Sequence, residues 1–137
     1  MGRYSVLIGR QLQLPPADVE RLALFATLHD LGKVGIPDRV LLKPGPLDPE
    51  EQRLMHTHVV SGLSLIERVL EAVHLSRDPS VQLLREVVAQ HHEALDGSGY
   101  PLGLVGSGRL DGRCVEALLG CAEERAAIRT AVSCSAA

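Results

Sequence analysis

Aromatic side chains are almost missing from this chain: its 137 residues include no Trp, two Tyr and one Phe. A core without large rings must be packed from Leu, Val, Ile and Ala, which leans towards helix on helix. Hydrophobic residues still make up 45% of the chain, and its length is one domain's worth, enough for a modest core. Cysteine is scarce as well. Cys114, Cys121 and Cys134, an odd number crowded into the last quarter, exclude a disulfide framework and predict a reducing, cytoplasmic setting. No apolar run is long enough to span a bilayer and no signal peptide opens the chain, so no membrane partner is expected. A formal net charge of only −3 excludes recognition of a nucleic-acid polymer through bulk positive charge.

What the chain does have is a stretch rich in chemistry, Thr27-Leu28-His29-Asp30-Leu31-Gly32-Lys33-Val34-Gly35-Ile36-Pro37-Asp38. An imidazole and a carboxylate stand side by side at the end of an apolar helical pattern, and both are common donors to divalent metals. Lys33 places a cation next to them, suited to an anionic substrate. Val19, Leu22, Ala23, Ala26 and His29 share one stripe of a helix expected over 16–30, opened by Pro15-Pro16. A histidine on such a stripe must find a partner, either a carbonyl in the core or a metal.

Before this helix, Tyr4, Leu7, Ile8 and Leu12 predict another over 3–12. After the Gly32 and Gly35 break, Asp48-Pro49-Glu50-Glu51 reads as a helix start, with Asp48 as N-cap and Glu51 closing a capping box. Along that helix, expected over 49–73, Leu54, His58, Gly62, Leu65 and Val69 line one face. His58 therefore points inward, and Gly62 one turn later admits a close neighbour. His56 falls on the opposite side and is read, like His74, as a surface residue. Asp78-Pro79 opens a last helix over 79–92, where Val81, Leu84 and Val88 precede His91-His92 at helical intervals. A glycine-rich loop follows, Asp96-Gly97-Ser98-Gly99-Tyr100-Pro101, whose amides can approach an anion and whose Tyr100 can stack on a base or pack locally.

Three inward placements, His29-Asp30, His58 and His91-His92, share one explanation, a metal centre inside a helical bundle. The runs His29 to Asp38, Lys43 to Leu47, Met55-His56-Thr57-His58 and His91 to Pro101, continued by Gly103-Leu104-Val105-Gly106, resemble the HD-GYP domain. The resemblance covers about Arg3 to Arg113. It implies an all-α, HD-domain-like helical bundle with the glycine-rich loop after its fourth helix. It also implies a phosphodiesterase acting on the bacterial messenger cyclic di-GMP, working alongside other signalling domains. Two or three ions, iron or manganese, would be held by a complete member. Position by position, His29, Asp30, His58, His91 and His92 match metal ligands, with Asp30 bridging. Lys33 matches the phosphate-side lysine and, with Asp30, the catalytic pair; Gly99, Tyr100 and Pro101 match the loop that shapes the substrate pocket. Such a centre hydrolyses by a metal-activated water attacking phosphorus in line, and Lys33 offsets charge growing on the phosphate.

The departures set a second expectation. The family places a further histidine upstream of where the match begins at Met1, and an aspartate ligand after Arg113 that would fall here at Leu119. No Asp occurs after Asp111; Glu116, Glu123 and Glu124 are the only later carboxylates. The chain therefore divides into a partial HD-GYP domain over 1–113 and a divergent tail over 114–137, with fewer ions than a complete member. The tail is expected to be helical over 114–132, packing Leu118 and Leu119 and leaving Glu116 and Glu123 in solvent. The competing reading is a truncated or degenerate domain without catalysis, a binding or interaction module or a remnant.

Overall fold

The computed structural model describes residues 2–94, 96–104, 120–121, 123–124 and 126–128. The expectations for Glu116, Leu118 and Leu119 and the 113/114 boundary lie outside them. Among the described residues up to Leu104, five α-helices and two short 3₁₀ turns occur; the helices are α1 Gly2–Gln11, α2 Pro16–Phe25, α3 Asp38–Leu41, α4 Pro49–Ala72 and α5 Gln82–Gln90. The 3₁₀ segments are Leu31–Gly35 and Pro79–Val81, and no β-strand occurs among the described residues. The fold is all-α. No helix among the described residues is long and apolar enough to cross a membrane.

The chain forms two compact units, Leu28–Gly106 and a second made of Met1–Thr27 with Ser107–Ala137. Within the second, α1 packs on α2 through Gly9, where an added Cβ would lie 3.1 Å from Val19 Cγ2. Val19 and Phe25 are the buried residues of α2. That helix ends at Phe25 and not near residue 30. The Thr27 hydroxyl bonds the Leu24 carbonyl at 2.6 Å, and residues 26–30 continue as turns. In the tail, Cys121 is buried, while Glu123 is exposed as expected.

In the Leu28–Gly106 unit α4 is the central element. Asp48 Oδ1 accepts from the Glu50 and Glu51 amides at 2.9 Å, and Glu51 Oε2 accepts from the Asp48 amide at 2.9 Å. Lys43 also pairs with Glu51. Two first-turn amides and the cap amide are thereby satisfied, which fixes where the 24-residue helix begins. Its buried residues are His58, Val59, Gly62, Ile66 and Leu70. The expected inward stripe is thus right at His58 and Gly62 but rotated further on. Leu65 is only half-buried and Val69 is 52% exposed, because Ile66 and Leu70 take the inward positions.

Helix α5 lies along α4. The Arg85 guanidinium donates to Glu67 Oε1 at 2.6 Å, to Glu67 Oε2 at 3.1 Å and to the Ser76 carbonyl at 2.6 Å. This bidentate pair fixes one end of the helix pair in register. Val81, Leu84 and Val88 are buried as anticipated, and full burial of side chains such as Val59 and Val88 stabilises by about 1.5–3 kcal/mol each. The helix closes at Gln90, so His91 and His92 sit in the turn just beyond it.

Candidate metal centre

Three segments bring the donors together. The turn through residues 26–30 and the 3₁₀ segment Leu31–Gly35 carry Asp30 onto α4, and the contact is possible because Gly32 has no side chain. A Cβ there would lie 1.9 Å from the His58 carbonyl oxygen and 2.5 Å from the Gly62 amide nitrogen. Helix α4 supplies His58, only 1% exposed, and the turn after α5 supplies His91 and His92. Asp30, His58, His91 and His92 each offer a ligand atom, and these atoms all lie within 4.8 Å of one another.

The protonation of the cluster follows from its hydrogen bonds. His58 Nδ1 donates to the Met55 carbonyl at 2.7 Å, and His91 Nδ1 donates to the Val88 carbonyl at 2.9 Å. Both Nδ1 protons are committed to backbone, which leaves the Nε2 atoms as the inward ligand positions of the two rings. Those two Nε2 atoms are 3.2 Å apart, and each faces Asp30 Oδ1, at 3.5 and 3.6 Å. Asp30 Oδ1 is itself buried without a hydrogen-bond partner. Two imidazole nitrogens and a buried carboxylate oxygen that lacks a hydrogen-bond partner thus converge, an arrangement that a bound cation satisfies. The residues present fit a divalent metal.

The other carboxylate oxygen is saturated. Asp30 Oδ2 accepts from Lys33 Nζ at 2.8 Å and faces His29 Nε2 at 3.1 Å. Burial pushes the Asp30 carboxyl up, but the Lys33 hydrogen bond and the charges of His29, Lys33 and His91 outweigh it and hold the group below the ordinary carboxylate range. Burial, reinforced by the neighbouring imidazoles, pushes His91 down and His92 to about 4, which favours the unprotonated rings that can ligate.

His29 lies beside the cluster, its ring edge-on to His91 at 5.0 Å between centroids and its Nε2 3.1 Å from Asp30 Oδ2. Lys33 reaches the site through Asp30. Of Gly99, Tyr100 and Pro101, Tyr100 lies against the cluster, its ring stacked on His92 at 4.5 Å. A Cβ at Gly99 would lie 2.3 Å from the Ala94 nitrogen, so the loop lies directly on the segment after His92. The Tyr100 amide donates to the His92 carbonyl at 3.2 Å, and Pro101 follows through a cis peptide bond. Burial and the Asp30 charge raise the Tyr100 phenol, so it stays a neutral donor. His74 is remote, at the end of α4, as expected. His56 is exposed, as expected, but its ring stacks on Tyr100 at 3.7 Å, a contact that sequence reasoning missed.

Glu93 was missed too. Its Oε1 accepts from the Leu102 amide at 2.7 Å and its Oε2 from the Leu104 amide at 2.8 Å, clamping the glycine-rich loop to the histidine pair. The available signal was a carboxylate set between two histidines and a loop rich in amides that need acceptors.

A helical domain with histidines and one aspartate converging on a site that could hold a metal is the class that fold and site define. Comparison with known proteins agrees: a family profile described as HD domain matches residues 1–108. The chain belongs to the HD domain family, with the motifs of its HD-GYP type. It is 42% identical over 104 residues to a cyclic di-GMP phosphodiesterase of Thermotoga maritima, covering 76% of this chain and 26% of that protein. It is 46% identical over 116 residues to a cyclic di-GMP phosphodiesterase of Vibrio cholerae, covering 79% and 21%. It is 39% identical over 103 residues to 3'3'-cGAMP-specific phosphodiesterase 2 of the same species, covering 75% and 18%. The chain spans about a quarter or less of the length of these relatives.

Proposed function

We propose that this chain is a metal-dependent phosphodiesterase domain that hydrolyses a cyclic dinucleotide, cyclic di-GMP. The observation that carries this reading is the convergence of His58 Nε2, His91 Nε2 and the unpartnered Asp30 Oδ1. Imidazole and carboxylate donors suit iron or manganese. When bound, such ions supply an activated water and neutralise phosphate oxygens.

The chain's own residues prepare the rest. His58, His91, His92 and Asp30 would hold the ion, and the two Nδ1–carbonyl hydrogen bonds fix the His58 and His91 rings. Lys33 balances Asp30 in the absence of substrate, and its ammonium swings to a phosphate oxygen when one arrives. The Gly99-Tyr100-Pro101 loop closes one side of the pocket. The names of the relatives support a cyclic dinucleotide, and cyclic di-GMP recurs among them.

The experiment is hydrolysis of cyclic di-GMP by the purified chain loaded with Mn(II) or Fe(II), followed by chromatography that separates pGpG from GMP. Turnover by the wild type and none by Asp30→Asn supports the reading. Equal turnover by both overturns it, and preferential turnover of 3'3'-cGAMP replaces the substrate. The absence of any Asp after Asp111 favours a second reading, a domain that binds the nucleotide without cleaving it. Binding without product in the same assay identifies that case.

A further inference from the structure

Tyr100 lies between two imidazoles. Its ring is near-parallel to His56, with centroids 3.7 Å apart and planes 11° apart, and near-parallel to His92, at 4.5 Å and 18°. Two rings cannot share one face of a phenol at these separations, so His56 covers one face and His92 the other. A column of three rings therefore runs from an exposed position on α4 to a metal-facing imidazole. Both faces of Tyr100 are occupied, which removes stacking on a base from what this side chain can do.

The three histidines of the cluster are not held alike. His58 and His91 each have Nδ1 fixed to a backbone carbonyl. Among the described residues no hydrogen bond holds the His92 ring. Its orientation comes from ring contacts: Tyr100 stacked at 4.5 Å, His58 edge-on at 5.2 Å and His91 tilted at 4.3 Å. Tyr100 in turn has its backbone tied to the His92 carbonyl, and the loop beyond it is tied to Glu93. The backbone is clamped, and the remaining freedom of Tyr100 is rotation of its ring away from His92. His56 blocks that rotation.

We propose that His56 is a positioning residue, which holds Tyr100 flat against His92 and so sets the aim of that imidazole at the metal. The proposal deepens the metal-centre reading and rests on it. It acts through shape and stacking, so a phenyl ring at position 56 does the same work and a methyl group does not.

The test uses the full chain with cobalt(II), whose visible bands report ligand number and geometry, and a second readout on the metal-free protein. In the latter, ring-current shifts of the His92 imidazole protons report whether Tyr100 lies over them. His56→Ala is expected to weaken cobalt binding roughly three- to tenfold, the worth of one aromatic pair. It should also change the cobalt bands and move the His92 protons towards ordinary positions. His56→Phe should restore all three, and Tyr100→Phe, which keeps the column, should resemble the wild type. Unchanged cobalt bands and His92 shifts in His56→Ala overturn the proposal. Failure of His56→Phe to rescue also overturns it, since the imidazole nitrogens would then be acting themselves. If the wild type takes up no cobalt while the His92 shifts respond as expected, the metal reading falls and the stacking column stands.

Discussion

Gly32 and Gly62 lie backbone against backbone: a Cβ added at Gly32 would come within 2.5 Å of the Gly62 nitrogen and 2.8 Å of its Cα. This approach seats the Asp30 turn on α4 and sets the distance from Asp30 to His58. Neither neighbour is the movable tip of a side chain, so Gly32→Ala must shift a helix. The expected cost is about 3 kcal/mol, seen as a fall in Tm of more than about 10 °C and loss of metal uptake. Gly62→Ala, whose added Cβ would lie 3.1 Å from the Gly32 nitrogen, should cost clearly less. Thermal denaturation of the two variants side by side checks the order.

Removing the charge at Asp30 tests the donor set directly. In Asp30→Asn the amide reproduces the size of the carboxylate but not its charge, and Lys33 loses its partner. Metal affinity should fall by at least about 100-fold while the circular dichroism of the helices is retained. Titration with Mn(II) in competition with a chelator measures it.

The histidines set the pH dependence. Burial and the neighbouring imidazoles push His92 from its ordinary 6.5 down to about 4 in the folded chain. A histidine with a depressed folded value is protonated first in the unfolded chain. Its contribution to stability is therefore full above pH 6.5 and is lost as pH falls towards 4. His91 is shifted in the same direction, chiefly by burial. Tm of the metal-free protein should drop across this window, and metal uptake should persist at pH 5.5, where ordinary histidines would be mostly protonated. A midpoint of metal release near 6.5 would show that the imidazoles are not desolvated.

Much of this was legible because it is local. The Asp48–Glu51 box is complete within four residues, and the i, i+4 spacing of His58 and Gly62 already points both inward. The end of α2 was not legible: no Gly or Pro interrupts residues 26–30, and the stop shows only in the backbone, where the Ala26 amide still bonds four residues back to Leu22 but the Thr27 amide bonds three back to Leu24. The later face of α4 was ambiguous because apolar residues occupy both Leu65-Ile66 and Val69-Leu70, and packing on neighbours decides between them. The column of His56, Tyr100 and His92 joins residues far apart in sequence, which no periodicity reports. The five candidate ligands were legible as candidates, but only the folded chain shows that the ligand atoms of four, Asp30, His58, His91 and His92, lie within 4.8 Å of one another, with His29 beside Asp30 and His91.

The missing aspartate gives a gain-of-function test. If Leu119 occupies the place of a ligand, Leu119→Asp should raise metal affinity at some cost in stability, because an apolar side chain is exchanged for a charge. Metal affinity and Tm measured together check it, and an unchanged affinity in a folded variant would show that the ligand belongs elsewhere.

The central claim is that Asp30, His58, His91 and His92 form a metal centre. Elemental analysis of the purified chain, loaded with Mn(II) or Fe(II) and then desalted, tests it most directly. At most one retained ion per wild-type chain is expected, with essentially none in folded Asp30→Asn. Two or three firmly held ions would contradict the count. No ion in the wild type, or equal content in both proteins, would contradict the claim itself.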